Sequence, residues 1–201
     1  MEQDKEQHPK KRSYALPITL LLLVFSLTGN VFLYSQSLQG GLDKKYDKGK
    51  DVIGAATQAV DYYQAVLDDI FALLEGKTAE AGTVIRDAAG VADFVQQSHS
   101  FDEEDAFDPG SIYSYMIDVD NSVAYIKQQD GKLTAEQTEY LKSVQDVYTK
   151  QLTILKEFNF DADKNRSGTI QIGAGIGWLE LANQLEQSIK EHQSSIKYSA
   201  Q

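Results

Sequence analysis

The chain has 201 residues, no cysteine and a formal net charge of −11 at pH 7. The lack of cysteine excludes disulfide-held scaffolds, cysteine-ligated metal sites and thiol nucleophiles. The acidic balance argues against nucleic acid as a partner, because a phosphate backbone attracts positively charged proteins.

Residues 16–34 form an uncharged, apolar stretch, LPITLLLLVFSLTGNVFLY. A helix of this length spans about 29 Å, close to the hydrocarbon thickness of a bilayer. We therefore predict a tail at residues 1–13, followed by a single transmembrane helix at residues 14–35 that contacts the lipid bilayer. The alternative is a cleaved signal peptide, with a small-x-small site at residues 35–37.

Three basic residues, Lys10, Lys11 and Arg12, precede the apolar stretch. The positive-inside rule then places the N-terminus in the cytoplasm and the C-terminal domain outside. The sequence thus predicts a single-pass protein of the cell membrane. Its tail is too short to form a signalling domain, so any signal has to pass through a partner.

Residues 36–50 contain Gly40, Gly41 and Gly49 among lysines and aspartates, and this composition predicts a flexible juxtamembrane linker that is helical in part. From residue 51 onwards, apolar residues recur at alternating spacings of three and four, as in a coiled coil. This first stripe comprises Ile53, Ala56, Val60, Tyr63, Leu67, Ile70 and Leu74. Gly76 predicts the end of the helix.

Four further amphipathic helices follow. Their apolar stripes are Ala81, Val84, Ala88, Val91 and Val95; Ile112, Met116, Val119, Val123 and Ile126; Leu141, Val144, Tyr148, Leu152, Leu155 and Phe158; and Ile176, Leu179, Ala182, Leu185, Ile189 and Ile196. Start signals are Thr78 for the second helix, Asp108-Pro109 for the third, a capping box at residues 134–137 for the fourth, and Trp178 at the start of the fifth. The many helical tyrosines are expected in core or boundary positions, with their hydroxyls reaching water.

Residues 159–175 are expected to be irregular, and residues 169–172 are the one short candidate for a strand. The glycines at 173, 175 and 177 predict close packing or a tight entry into the last helix. These patterns predict an all-α protein in which the N-terminal transmembrane helix precedes an antiparallel four- to five-helix bundle at residues 51–198.

One loop resembles the first part of an EF-hand calcium loop. In the stretch DKNRSGTI, Asp163, Asn165 and Ser167 match ligand positions 1, 3 and 5, and Gly168 matches the glycine at position 6. The carbonyl of Thr169 would be the ligand at position 7. The resemblance implies oxygen ligands for Ca²⁺ at these residues.

The same loop departs from the EF-hand pattern at position 12. Ala174 stands where a bidentate Glu belongs, so any calcium site should be weak, at about 10⁻⁴–10⁻³ M. The alternative is a polar connection between helices, in which Asp and Asn cap and Gly turns. No other cofactor is predicted.

The pattern predicts a non-enzymatic, membrane-anchored interaction or scaffold module that binds another envelope or membrane protein. The three histidines are far apart in the sequence, and no catalytic constellation is evident. The alternative is an extracytoplasmic sensor bundle that binds a small ligand or calcium and signals through a partner. Its general shape would be similar to that of bacterial chemoreceptor sensing domains.

Overall fold

The computed structural model describes residues 15–77, 88–101, 108–129 and 132–193. Within these ranges all regular secondary structure is helical, and no strand is present. The helices are α1 (Ala15–Leu74), α2 (Ala89–His99), α3 (Pro109–Gln128), α4 (Ala135–Lys156), α5 (Arg166–Gly173) and α6 (Leu179–His192), and a 3₁₀ helix at Phe160–Lys164 precedes α5. The predicted all-α class is confirmed for the described residues.

The chain divides into two units, Met1–Leu42 and Asp43–Gln201. In the first unit, the described large apolar side chains between Leu16 and Tyr34 are each more than half exposed. The Thr28 hydroxyl donates to the Val24 carbonyl at 2.8 Å, so its hydrogen bond is satisfied within the helix. This part of α1 is long and apolar enough to cross a membrane.

Residues 36–50, predicted as a linker that is helical in part, are helical throughout. Glycine disfavours a helix by about 1 kcal/mol relative to alanine, and this weak preference is readily overridden by packing. Gly49 illustrates the reason, because it is buried where α1 crosses α5. A Cβ atom at Gly49 would collide with the Thr169 carbonyl, and one at Gly173 would collide with the Lys45 carbonyl. The two glycines therefore allow the backbones of α1 and α5 to touch. This agrees with the close packing predicted at Gly173.

Three helix ends follow local sequence signals as predicted. Gly76 has φ +68°, and the amides of Gly76 and Lys77 donate to the Leu73 and Ala72 carbonyls, which closes α1 in a Schellman motif. Asp108 caps α3 by accepting from the Gly110 amide at 2.9 Å. The capping box at the start of α4 is complete in both directions.

The core of the second unit gathers the predicted stripes. In α1 the stripe is buried except for Val60 and Leu74, which are half-buried. Further buried residues widen this face of α1, namely Val52, Ala55, Ala59, Tyr62 and Val66. Contacts join α2 to α3 and α6, and α4 to α3 and α6.

The segment before α6 differs most from expectation. Residues 159–175, expected to be irregular, contain the 3₁₀ helix and α5, and the strand candidate at residues 169–172 lies inside α5. Ile176, expected in the core, is 59% exposed because α6 begins only at Leu179. Trp178 does stand at the start of α6, where its buried indole Nε1 donates to the Ile172 carbonyl at 2.8 Å. The predictions at Thr78, Ala81, Val84 and Ile196 lie outside the described residues.

Candidate functional site

The four residues of the EF-hand-like loop lie around the start of α5. Asp163 is in the 3₁₀ helix, Asn165 is the N-cap of α5, Ser167 is in its first turn and Thr169 is inside it. Asp163, Asn165 and Ser167 are exposed, whereas Thr169 is buried.

Two of these oxygen-bearing side chains already have hydrogen bonds within the loop. Asn165 Oδ1 accepts from the Gly168 amide at 2.8 Å, and this is an N-cap interaction. The Thr169 hydroxyl is 3.2 Å from both the Ala162 and Asn165 carbonyls. A Cβ atom at Gly168 would collide with the Ala162 backbone, so the glycine permits a tight fold here. The N-cap at Asn165 is the kind of interaction expected of a polar connection between helices. Calcium binding by the loop stays a prediction.

In the part of the chain that the structure describes, no group of three or more His, Asp or Glu side chains could hold a metal ion. The predicted calcium ligands include one carboxylate, that of Asp163, and calcium sites draw their affinity from several.

A second candidate lies between α2 and α6. An open groove of about 650 Å³, here called the α2–α6 groove, is lined by Ser98, His99, Phe101, Leu179, Asn183, Glu186, Gln187 and Lys190. Its volume lies in the range of small-molecule sites, about 300–1,000 Å³. The groove is therefore large enough for a small molecule, and both apolar and polar side chains line it.

Glu186 is the buried charged group of this groove. Its side chain is 8% exposed, and its carboxylate contacts the side chains of two basic residues, His99 and Lys190. Glu186 Oε2 lies 2.8 Å from His99 Nε2, and Oε1 lies 2.6 Å from Lys190 Nζ. Burial by itself would raise the pKa of Glu186, but the hydrogen bonds and charges of Lys190 and His99 outweigh it, so this pKa lies below its ordinary value.

The ring of Phe101 lines the groove. Phe101 packs edge-on against Trp178, with ring centroids 5.9 Å apart. Lys48 Nζ lies 3.4 Å from the centroid of the Phe101 ring, within the range of a cation–π interaction. Partial burial lowers the pKa of Lys48. The ring thus already holds one ammonium group over its face.

Sequence reasoning missed this groove because its residues are distant in the chain. His99 and Glu186 are 87 residues apart, so no local pattern in the sequence joins them. One local signal was present. Glu186 falls within the apolar stripe of α6, directly after Leu185 and between Ala182 and Ile189, where an apolar residue would be expected.

Buried tyrosines form a separate cluster in the core. The Tyr62 hydroxyl donates to the Met116 carbonyl at 3.2 Å, and the Tyr148 hydroxyl contacts Met116 Sδ at 3.4 Å. The hydroxyls of Tyr63 and Tyr115 are buried without a hydrogen-bond partner among the described residues. The expectation that tyrosine hydroxyls reach water is therefore wrong for these two. Burial, reinforced by neighbouring tyrosines, raises the pKa of Tyr63 and that of Tyr115 above the ordinary value.

No protein-family model matches the chain, and comparisons with curated proteins and with solved structures find no match either.

Proposed function

We propose that this chain is a membrane-anchored helical bundle that acts outside the cytoplasm, without catalysis, by binding another protein of the cell envelope. In this proposal residues 14–35 cross the bilayer once, with the N-terminus inside. Residues 51–198 form an antiparallel bundle that presents its acidic surface to a partner.

The observation that carries the proposal is the contrast between the two units. The apolar side chains of residues 16–34 are exposed, whereas the second unit has its own buried core. A large apolar surface in contact with water would be costly, so a bilayer is the natural environment for that stretch. Beyond residue 37 the chain carries 15 Lys and Arg against 27 Asp and Glu, which favours basic partners over nucleic acid.

The natural absence of cysteine makes the topology directly testable. Two single-cysteine variants are needed, Gln7→Cys in the tail and Thr149→Cys on the exposed side of α4. In intact cells, a membrane-impermeant maleimide should label Thr149→Cys, and it should label Gln7→Cys only after lysis. The reverse pattern would overturn the orientation, and a secreted, shortened Thr149→Cys product would show a cleaved signal peptide.

The scaffold function is tested by crosslinking in cells. The intact chain should recover specific envelope or membrane proteins that a matched control, residues 1–50 alone, does not recover. Recovery of the same proteins by both would assign the interaction to the anchor. No crosslinked partner of the intact chain would contradict the scaffold proposal.

A second candidate function is a sensor that binds a small ligand and signals through a partner. The α2–α6 groove favours it, because a buried carboxylate and an aromatic ring line a space of ligand size.

The hypothesis that the sensor ligand is calcium is tested by calorimetric titration of the full chain in nanodiscs. Saturation near millimolar Ca²⁺ that is lost in Asp163→Ala and kept in Asp146→Ala, an exposed control on α4, would support it. No saturable heat would make the loop a connector only.

A further inference from the structure

We infer that the α2–α6 groove binds a small organic ammonium compound, with its charged nitrogen against Glu186 and its apolar part against Phe101 and Leu179. This inference rests on the second candidate function and deepens it by naming the ligand class. It requires no part of the anchor and no calcium.

The first argument is that the two partners of Glu186 differ in how firmly the fold fixes their side chains. His99 approaches from α2 with a side chain that is 16% exposed, so it is a fixed part of the wall. Lys190 lies on the same helix as Glu186, four residues later, and its side chain is 69% exposed. The exposed ammonium group of Lys190 can move into solvent when a ligand ammonium group takes its place, so the buried carboxylate stays paired throughout. His99 remains in contact with the other carboxylate oxygen.

The second argument is that the protein itself holds ammonium groups against two of the residues that line this groove. Lys190 Nζ lies against the Glu186 carboxylate, and Lys48 Nζ lies over the Phe101 ring. Each is a position where a positively charged nitrogen is held by a carboxylate or by an aromatic face. We read Lys190 as an internal stand-in that a ligand amine displaces.

The remaining lining residues and the overall charge agree with this assignment. Asn183 and Gln187 offer amide groups to further polar atoms of a ligand, while Leu179 and Phe101 provide apolar surface. The acidic chain, with a net charge of −11, raises the local concentration of cations. Glu186 places an ionised carboxylate within the apolar stripe of α6, and a ligand that uses this charge would give the position a function.

The test uses the full chain in nanodiscs and phenethylammonium chloride as the probe, with empty nanodiscs as the blank. Titration calorimetry should show saturable binding that phenethyl alcohol and 3-phenylpropionate do not show. In Glu186→Gln the affinity should fall by about tenfold or more, because a charge-assisted hydrogen bond is lost. In Lys190→Met it should rise by about twofold, because the competing ammonium is removed.

Two control variants separate the groove from the general charge of the chain. Glu139→Gln and Lys150→Gln make the same changes in net charge at exposed positions of α4, and each should leave the affinity unchanged. Equal effects of Glu139→Gln and Glu186→Gln would overturn the inference, as would equal binding of the alcohol. If Glu186→Gln does not fold, unchanged affinity in Lys190→Met overturns it, since the Lys190 side chain is 69% exposed and lies outside the buried core. The topology and crosslinking experiments are independent of this outcome, so failure of the groove and failure of the scaffold proposal are distinguishable.

Discussion

At the scale of single residues, Glu186 links folding to pH. Its pKa is lower in the folded chain than in the unfolded chain, so protons bind preferentially to the unfolded state. Its contribution to stability is therefore present above the ordinary carboxyl pKa, and it is lost as the pH falls through the folded-state value.

We expect urea midpoints of the wild-type chain to fall between about pH 5 and pH 3 more steeply than those of Glu186→Gln, which lacks this proton-linked contribution. Glu139→Gln, at an exposed position, is the control and should keep the wild-type slope. Parallel curves for wild type and Glu186→Gln would show that this carboxylate has no special role in acid stability.

Tyr63 provides the opposite case, because its buried hydroxyl contributes no hydrogen bond to the described fold. Its hydroxyl is buried and has no hydrogen-bond partner among the described residues. Tyr63→Phe removes that hydroxyl and should raise the free energy of unfolding, or leave it unchanged, within about 1 kcal/mol. Tyr148→Phe is the matched variant, and it should lower the free energy of unfolding by about 1 kcal/mol because its hydroxyl contacts Met116 Sδ. Urea unfolding measures both, and a large loss in Tyr63→Phe would show that its hydroxyl is satisfied in solution.

At the scale of helices, the crossing of α1 and α5 depends on two glycines. Gly173→Ala places a methyl group against the Lys45 carbonyl, so the helices must separate. We expect a loss of about 1–3 kcal/mol, the usual cost of overpacking a core. Gly54→Ala is the control, since a Cβ there meets nothing within 4 Å. It should stabilise α1 by about 0.5–1 kcal/mol, because alanine favours a helix more than glycine does. Equal effects of both variants would contradict the close crossing.

The start of α5 distinguishes a capping role from a ligand role. Asn165→Ala removes the hydrogen bond to the Gly168 amide and should cost about 1 kcal/mol of stability without added calcium. Asp163→Ala removes an exposed carboxylate that takes no part in this cap, and it should leave the calcium-free melting temperature unchanged. A calcium-free loss in Asp163→Ala equal to that in Asn165→Ala would assign both residues to structure.

The sequence predicted those elements whose ends are encoded locally. Gly76, Asp108 and the Thr134–Gln137 capping box each act within a few residues of the helix end that they define, so reading them requires no knowledge of the fold. Helix α5 escaped prediction because eight residues are too few to be stable alone. Its support comes from α1 and from the indole of Trp178, which are contacts that spacing does not reveal. The α2–α6 groove was missed for the same reason.

At the scale of the whole molecule, the second unit has the buried core. We predict that a chain starting at Asp43 folds as the full chain does, because the buried residues of α1 begin at Gly49. Its helical content per residue and its urea midpoint should match those of the second unit in nanodisc-bound full chain. A chain starting at Asp51 is the informative comparison. It lacks Gly49 and Lys45 at the α5 crossing and should have a lower midpoint. Identical midpoints for the two fragments would show that residues 43–50 do not belong to the folded unit.

The contact between His99 and Glu186 has a consequence for the order of folding. It spans 87 residues, and α3, α4 and α5 all lie between its two ends in the chain. Closing so long a loop is entropically costly unless the intervening helices have already packed, so we expect this contact to form late. During synthesis, α2 leaves the ribosome well before the carboxylate of α6 exists. On this expectation, the imidazole nitrogen resonances of His99 would report the step in which α6 packs against the helices already formed.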